Sequence, residues 1–287
     1  MICDAHMHFF SPGFFAGLGA TREALTGMGW DDPESTEALA ERWVAELDRH
    51  GVNKAALMAS LPGDADSVAK AVALHPSRFV GFFMLDPTRD DAVAYATRAL
   101  DAGLRTICLF PAMHHYALHD EKVVRIFELA AARPGTGVFA HCGVLSVGIR
   151  KKLGLPSPFE IRFGNPLDLH GVALKFPNVP IVIPHFGAGM LREALMVASL
   201  CPNVMLDTSS SNSWIAQTPG LTLAQVFRTA LDVAGPDRLL FGTDSSFFPR
   251  GWNRAVYDQQ LAALDSLGVS EADRQKIFEG NFKRLFR

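Results

Sequence analysis

Ile2-Cys3-Asp4-Ala5-His6-Met7-His8 is a short, largely apolar run that ends in two histidines one residue apart. Side chains i and i+2 of a strand share a face, so both imidazoles leave one rigid element in the same direction. Two neutral imidazoles side by side form half of a zinc-type donor set. Two surface histidines near a chain terminus would look the same, so the reading depends on where the other polar residues fall.

The construction recurs. His141 closes Val138-Phe139-Ala140-His141, and His185 closes Ile181-Val182-Ile183-Pro184-His185. Asp244 closes Leu239-Leu240-Phe241-Gly242-Thr243-Asp244. Strands are expected at 2–6, 53–59, 79–85, 104–110, 136–141, 179–185, 203–208 and 238–243, eight in all. Amphipathic segments lie between them; one runs from Asp32-Pro33 to His50-Gly51, with Leu39, Trp43, Val44 and Leu47 on one helical face. His75-Pro76, Phe176-Pro177, Cys201-Pro202 and Gly235-Pro236 stop helices ahead of strands, because proline cannot continue the helix. Eight such units without an evident linker predict an α/β fold, one domain over 1–287 built as a single (β/α)8 TIM barrel. Its C-terminal mouth would collect all five strand-terminal groups. The long loops expected around that mouth are 9–32, 111–119, 142–164, 209–220 and 245–252.

With 48% hydrophobic and 20% charged residues, the chain has enough apolar material for a large core. A net charge of −3 with scattered Lys and Arg argues against a nucleic-acid partner. Apolar runs are short and broken, so no membrane span is expected, and the start lacks the basic flank and apolar core of a secretory signal. Cys3, Cys108, Cys142 and Cys201 show no CxxC spacing, and a reducing, cytoplasmic location is expected. Cys142 should face the opposite side of its strand from His141.

His-x-His on strand one, His on strands five and six and Asp on strand eight resemble the amidohydrolase superfamily. The version is similar to the amidohydrolase family 2 branch, which also holds aminocarboxymuconate-semialdehyde decarboxylase. Phe176-Pro177-Asn178-Val179 leading to His185-Phe186-Gly187 agrees with it, as does the closing Ile277-Phe278-Glu279-Gly280-Asn281-Phe282, so the resemblance covers the whole chain. It implies His6, His8, His141 and Asp244 as metal ligands. His185 would be the catalytic histidine, polarising the substrate or handling a proton, and Asp244 would also shuttle a proton. Such a donor set holds one divalent ion and leaves room for water made nucleophilic near neutral pH. Binuclear relatives bridge two ions with a carboxylated lysine or a glutamate at the end of strand four; Arg105-Thr106-Ile107-Cys108-Leu109-Phe110 has neither. One ion is therefore expected, zinc first and manganese second. The family's manganese decarboxylases often carry Glu-x-His on strand one, where this chain has His6-x-His8. Backbone N–H groups of Gly187-Ala188-Gly189, at a helix start, could bind an anionic oxygen.

The mouth loops carry Phe9, Phe10, Phe14, Phe15, Tyr116, Trp214, Phe247, Phe248 and Trp252. They would line an apolar substrate pocket or form a homodimer interface; both readings stay open. Arg162, Arg250, Trp214, Phe247 and Tyr116 are the candidate substrate-binding residues, with arginine suited to a carboxylate. Arg150-Lys151-Lys152 reads as a solvated turn, and Ser209-Ser210-Ser211-Asn212-Ser213 as a linker-like run able to offer hydroxyls after strand seven. The expected activity is hydrolysis of an amide, ester or lactone in a small, carboxylated molecule. The alternative is non-oxidative decarboxylation of an unsaturated or aromatic acid. A third reading, from another class, is a non-catalytic barrel that binds a metal or ligand.

Overall fold

The computed structural model describes residues 1–209 and 214–286. Eight parallel strands run in chain order around a barrel: β1 (Ile2–Phe9), β2 (Val52–Ala59), β3 (Phe79–Leu85), β4 (Thr106–Leu109), β5 (Gly137–Ala140), β6 (Ile181–Ile183), β7 (Val204–Asp207) and β8 (Leu239–Leu240). β8 is short, and closure onto β1 falls largely to the segment after it. Ala5 N–H donates to Phe241 O at 2.8 Å, Asp244 N–H to His6 O at 2.8 Å and His8 N–H to Ser245 O at 2.7 Å. The expected (β/α)8 barrel is thus the observed fold, with several strands trimmed at their ends.

Both faces of each strand are buried, which is why the strands read as continuous apolar runs. Cys3, Ala56, Phe82, Cys108, Phe139, Val182, Met205 and Leu240 fill the interior, while Leu57, Phe83, Ile107 and Cys142 meet the helices outside. Cys142 therefore does face away from His141. The helix expected from Pro33 begins at Thr36 and runs Thr36–Arg49, because Ser35 Oγ accepts the Ala38 N–H at 3.0 Å and caps it there. Its Leu39, Trp43 and Leu47 are buried against the barrel.

β1 breaks the plain alternation expected of it. Asp4 pairs with Ala55 and Met7 with Leu57, so three steps on β1 oppose two on β2. This is one extra residue, a β-bulge, and bulges re-aim side chains. Cys3 and Ala5 point into the barrel, Met7 and Phe9 point out, and the bulge between them turns His6 and His8 inward.

The two ends of the barrel close differently. At the floor, Phe282 and Phe286 from the C-terminal segment pack under Phe82, with ring centroids 4.9 Å apart and Phe286 5.2 Å from Phe82. Over the mouth, the β1 loop carries helices Pro12–Gly17 and Arg22–Gly27 and contributes Phe14, Phe15, Leu25 and Trp30. Ile149, from helix Gly148–Lys152 in the β5 loop, packs against them. Among the described residues no helix is long and apolar enough to cross a membrane.

Candidate metal centre

A cavity of about 410 Å³ opens at the mouth, and His6, His8, His141, His185 and Asp244 all line it. His6, His8 and Asp244 bring ligand atoms within 4.8 Å of one another. Asp244 Oδ1 lies 3.0 Å from His8 Nε2 and 3.7 Å from His6 Nε2. The His185 ring sits 5.0 Å from that of His6 and 5.3 Å from that of His141. Strand-terminal positions far apart in sequence thus line one cavity.

The hydrogen bonds behind the rings decide what the rings offer in front. His6 Nδ1 lies 2.5 Å from Asp207 Oδ2, and a carboxylate only accepts, so the proton is on Nδ1. His185 Nδ1 lies 3.0 Å from the Ser209 carbonyl oxygen, which again can only accept. His8 Nδ1 is 2.6 Å from Ser60 Oγ, whose own proton goes to Met58 O at 3.0 Å. In all three, Nδ1 donates backward, so Nε2 is the atom presented to the cavity. For His8 that atom faces a carboxylate oxygen at 3.0 Å, an arrangement that a positive charge between them satisfies. His141 Nδ1 is buried without a hydrogen-bond partner among the described residues, an unclaimed donor in the same cavity. His6, His8 and Asp244 form a donor set of a kind that suits a divalent cation, and His141 lines the same cavity. His6, His185 and Asp207 also lie close enough to share an ion, but the hydrogen bonds just described already occupy their facing atoms.

The charges follow from the same neighbours. Burial alone would depress His6, but Asp207 overturns this and holds it up at about 9. Burial, with His185 and His6 alongside, pushes His141 well below the ordinary imidazole value. Burial, then His6, also lowers His185. Burial would raise Asp244, yet His8 Nε2 at 3.0 Å and the charge on nearby His6 hold it well below the usual carboxylate range. His185 and Asp244 both adopt left-handed backbone, φ 55° and 57°. For residues with a Cβ such conformations cost roughly 1–3 kcal/mol each and cluster at functional sites.

The remaining expectations divide. Phe247 and Arg250 line the cavity. Arg250 Nη2 donates to the Asp244 carbonyl oxygen at 3.1 Å and to Ser246 Oγ at 2.9 Å, and its guanidinium lies 4.6 Å from the Phe247 ring centre. Arg162, Tyr116 and Trp214 are not among the lining residues, contrary to expectation. Arg162 is exposed and pairs with Glu160 at 2.6 Å, while Tyr116 and Trp214 are buried in the layer between strands and helices. Lys152, expected in a solvated turn, does line the cavity, because helix Gly148–Lys152 folds back over the mouth. The Gly187-Ala188-Gly189 segment is not a helix start: Ala188 N–H is spent on His185 O and Met190 N–H on Gly187 O, and the helix begins at Leu191. Ser60 and Asp207 went unread as site residues, although each stands at the same level just beyond or at the end of a strand; Ser209, expected to offer a hydroxyl after strand seven, offers it to Asp207. Of the serine run, 210–213 lies outside the described residues.

A (β/α)8 barrel with this histidine–aspartate mouth defines an enzyme of the amidohydrolase type. The amidohydrolase family model Amidohydro_2 matches residues 3–287, and the chain belongs to that family. Its members typically use a divalent metal and act on small carboxylated molecules. Among curated proteins, the chain is 25% identical over 309 residues to γ-resorcylate decarboxylase of Polaromonas sp. strain JS666, covering 87% of each chain. An uncharacterised TIM-barrel protein of Bordetella bronchiseptica has a TM-score of 0.69 at 19% identity, with 99% of this chain and 97% of that one covered. A probable 2-pyrone-4,6-dicarboxylic acid hydrolase of Acinetobacter baumannii has a TM-score of 0.64 at 15% identity, with 99% and 98% covered.

Proposed function

We propose that this chain is a metal-dependent hydrolase that opens an amide, ester or lactone bond in a small, carboxylated molecule. Zinc is the ion the donor set suits best, with manganese second. When bound, the ion supplies Lewis-acid polarisation and lowers the pKa of water towards ~7. The observation that carries hydrolysis is the His185 Nδ1–Ser209 O hydrogen bond of 3.0 Å. It leaves Nε2 unprotonated, so neutral His185 accepts a proton rather than donating one to an oxyanion. Asp244, held ionised, is a second resting base. Two bases facing one cavity suit deprotonation of an attacking water and later return of the proton to a leaving group. Arg250 and Lys152 at the rim suit the substrate's carboxylate.

Non-oxidative decarboxylation is the second reading. The similarity to γ-resorcylate decarboxylase and the apolar inner wall of Met84, Phe110 and Met113 favour it. That chemistry requires a resting acid to protonate the carbon losing CO2, so His185 or Asp244 would have to start protonated.

The test is metal analysis of purified protein, then a panel of lactones, esters, amides and aromatic carboxylic acids with acid release and CO2 followed separately. Acid release without CO2, abolished in His185→Ala and Asp244→Asn, is the expected result. CO2 release selects the second reading. A protein that binds small acids with unchanged affinity in both variants and turns over nothing is a binding barrel instead.

A further inference from the structure

Asp207 is fully buried, and no lysine or arginine pairs with it among the described residues. A buried carboxylate is costly unless its neighbours satisfy it. Here the neighbours are the two histidines that matter most. His6 donates to Oδ2 directly at 2.5 Å. Ser209 donates its hydroxyl to the same oxygen at 2.9 Å and its backbone N–H to Oδ1 at 2.7 Å. Ser209 Oγ also lies 2.8 Å from His185 Nδ1 and 3.0 Å from His6 Nδ1, whose proton goes to the nearer Asp207 oxygen. A hydroxyl has one proton; once it goes to Asp207, the remaining lone pairs face His185 Nδ1–H. Donation therefore runs one way, from His185 through Ser209 to Asp207, and from His6 to the same atom. The segment after β8 makes room for this carboxylate: a Cβ at Gly242 would stand 2.5 Å from Asp207 Oδ1 and 2.9 Å from His6 Cβ.

We propose that Asp207 is the positioning residue for both histidines, acting on His6 directly and on His185 through Ser209. It would keep a proton on Nδ1 of both rings, of His6 directly and of His185 by holding Ser209, so that Nε2 of one is the atom offered to an ion and Nε2 of the other the atom offered to a proton. The consequence for the ion rests on the metal-site reading above; the tautomers do not. The two arms of the network are separable. In Asp207→Asn, if the amide oxygen keeps the Ser209 N–H, the amide N–H meets His6 Nδ1 and forces the His6 proton onto Nε2. In Ser209→Ala, His6 keeps its carboxylate at 2.5 Å and loses only the hydroxyl contact at 3.0 Å, while His185 keeps the Ser209 carbonyl and loses the hydroxyl that links it to Asp207.

The experiment combines zinc affinity, measured by competition with a chromophoric chelator, and imidazole ¹⁵N spectra of wild type and both variants. Wild type should show Nδ1–H at His6 and His185 even without metal. Asp207→Asn should weaken zinc binding by about 10–100-fold, the usual effect of removing a partner behind a ligand, and shift the signals of both histidines. Ser209→Ala should bind zinc as wild type does, shift His185, and leave the His6 proton on Nδ1, where the carboxylate holds it. The proposal is overturned if Asp207→Asn binds zinc normally, if it leaves His185 unmoved, or if Ser209→Ala takes the His6 proton off Nδ1. If Asp207→Asn does not fold, the Ser209→Ala pattern and the wild-type tautomers decide. If wild type binds neither zinc nor manganese, the metal reading fails, while the tautomer pattern still tests the network.

Discussion

At the floor of the barrel, Phe82, Phe282 and Phe286 meet ring to ring among Cys3, Val80 and Leu240. At the mouth, four histidines and an aspartate face one cavity, with two of the five on left-handed backbone. The floor is the low-cost arrangement: apolar groups fill space in relaxed geometry. The mouth holds buried polar atoms and strained backbone, each of which would be lost to a better-packed alternative unless function kept it. The contrast matches the division of labour in such barrels, where the C-terminal face carries chemistry and the opposite face carries stability.

The largest expected effect breaks the comparison if it fails. His6→Ala and His141→Ala should lose bound metal and fall to background turnover while the far-ultraviolet circular dichroism of the folded protein is retained. Phe282→Ala should do the reverse. Removing a fully buried ring of this size costs about 3–5 kcal/mol, read as a drop in the urea midpoint, with metal content per folded molecule unchanged. Floor variants that lose metal, or mouth variants that unfold, would show that the two ends are not independent.

A finer test lies within the mouth. Lys152 and Arg250 both line the cavity, but Arg250 already holds the Asp244 carbonyl and Ser246. Lys152→Met should raise KM by roughly tenfold or more, the worth of one charged hydrogen bond, and leave kcat alone. Arg250→Met should lower kcat as well, because the loop bearing Asp244 loses its brace. Equal effects on KM from both would mean that the two cations simply share one carboxylate.

The strand-terminal pattern was legible because it needs only periodicity and residue type: His6, His8, His141, His185 and Asp244 each follow an apolar run. The bulge that turns His6 and His8 inward was not, since register against β2 exists only after pairing. Ser60 and Asp207 were missed, and the role of Ser209 left unspecified, for a related reason. They act from behind the rings, and serine or aspartate after a strand is also ordinary turn chemistry. The cations were misjudged because local sequence does not say which way a loop folds. Arg162 finds Glu160 two residues away, whereas helix Gly148–Lys152 carries Lys152 over the cavity.

The smallest expected effect concerns pH, and metal-free protein reports it. Burial, then the charge of neighbouring histidines, depresses His141 and His185. Below the ordinary imidazole value of 6.5 the unfolded chain takes up protons that these two refuse in the fold. Stability should therefore fall as pH drops below that value. His6 behaves oppositely: burial would lower it, but Asp207 raises it to about 9. Between 6.5 and 9 the fold keeps a proton that the unfolded chain has released, so stability should fall again as pH rises. The urea midpoint of chelator-treated protein should then peak near the ordinary imidazole value. His6→Gln should remove the alkaline limb and leave the acid one. Zinc should displace the same proton, so its affinity should climb with pH over the range in which the metal-free fold weakens. A midpoint that rises steadily through the alkaline range in wild type would mean that Asp207 does not hold His6 as described, and the contrast between a relaxed floor and an electrostatically loaded mouth would lose its central pair.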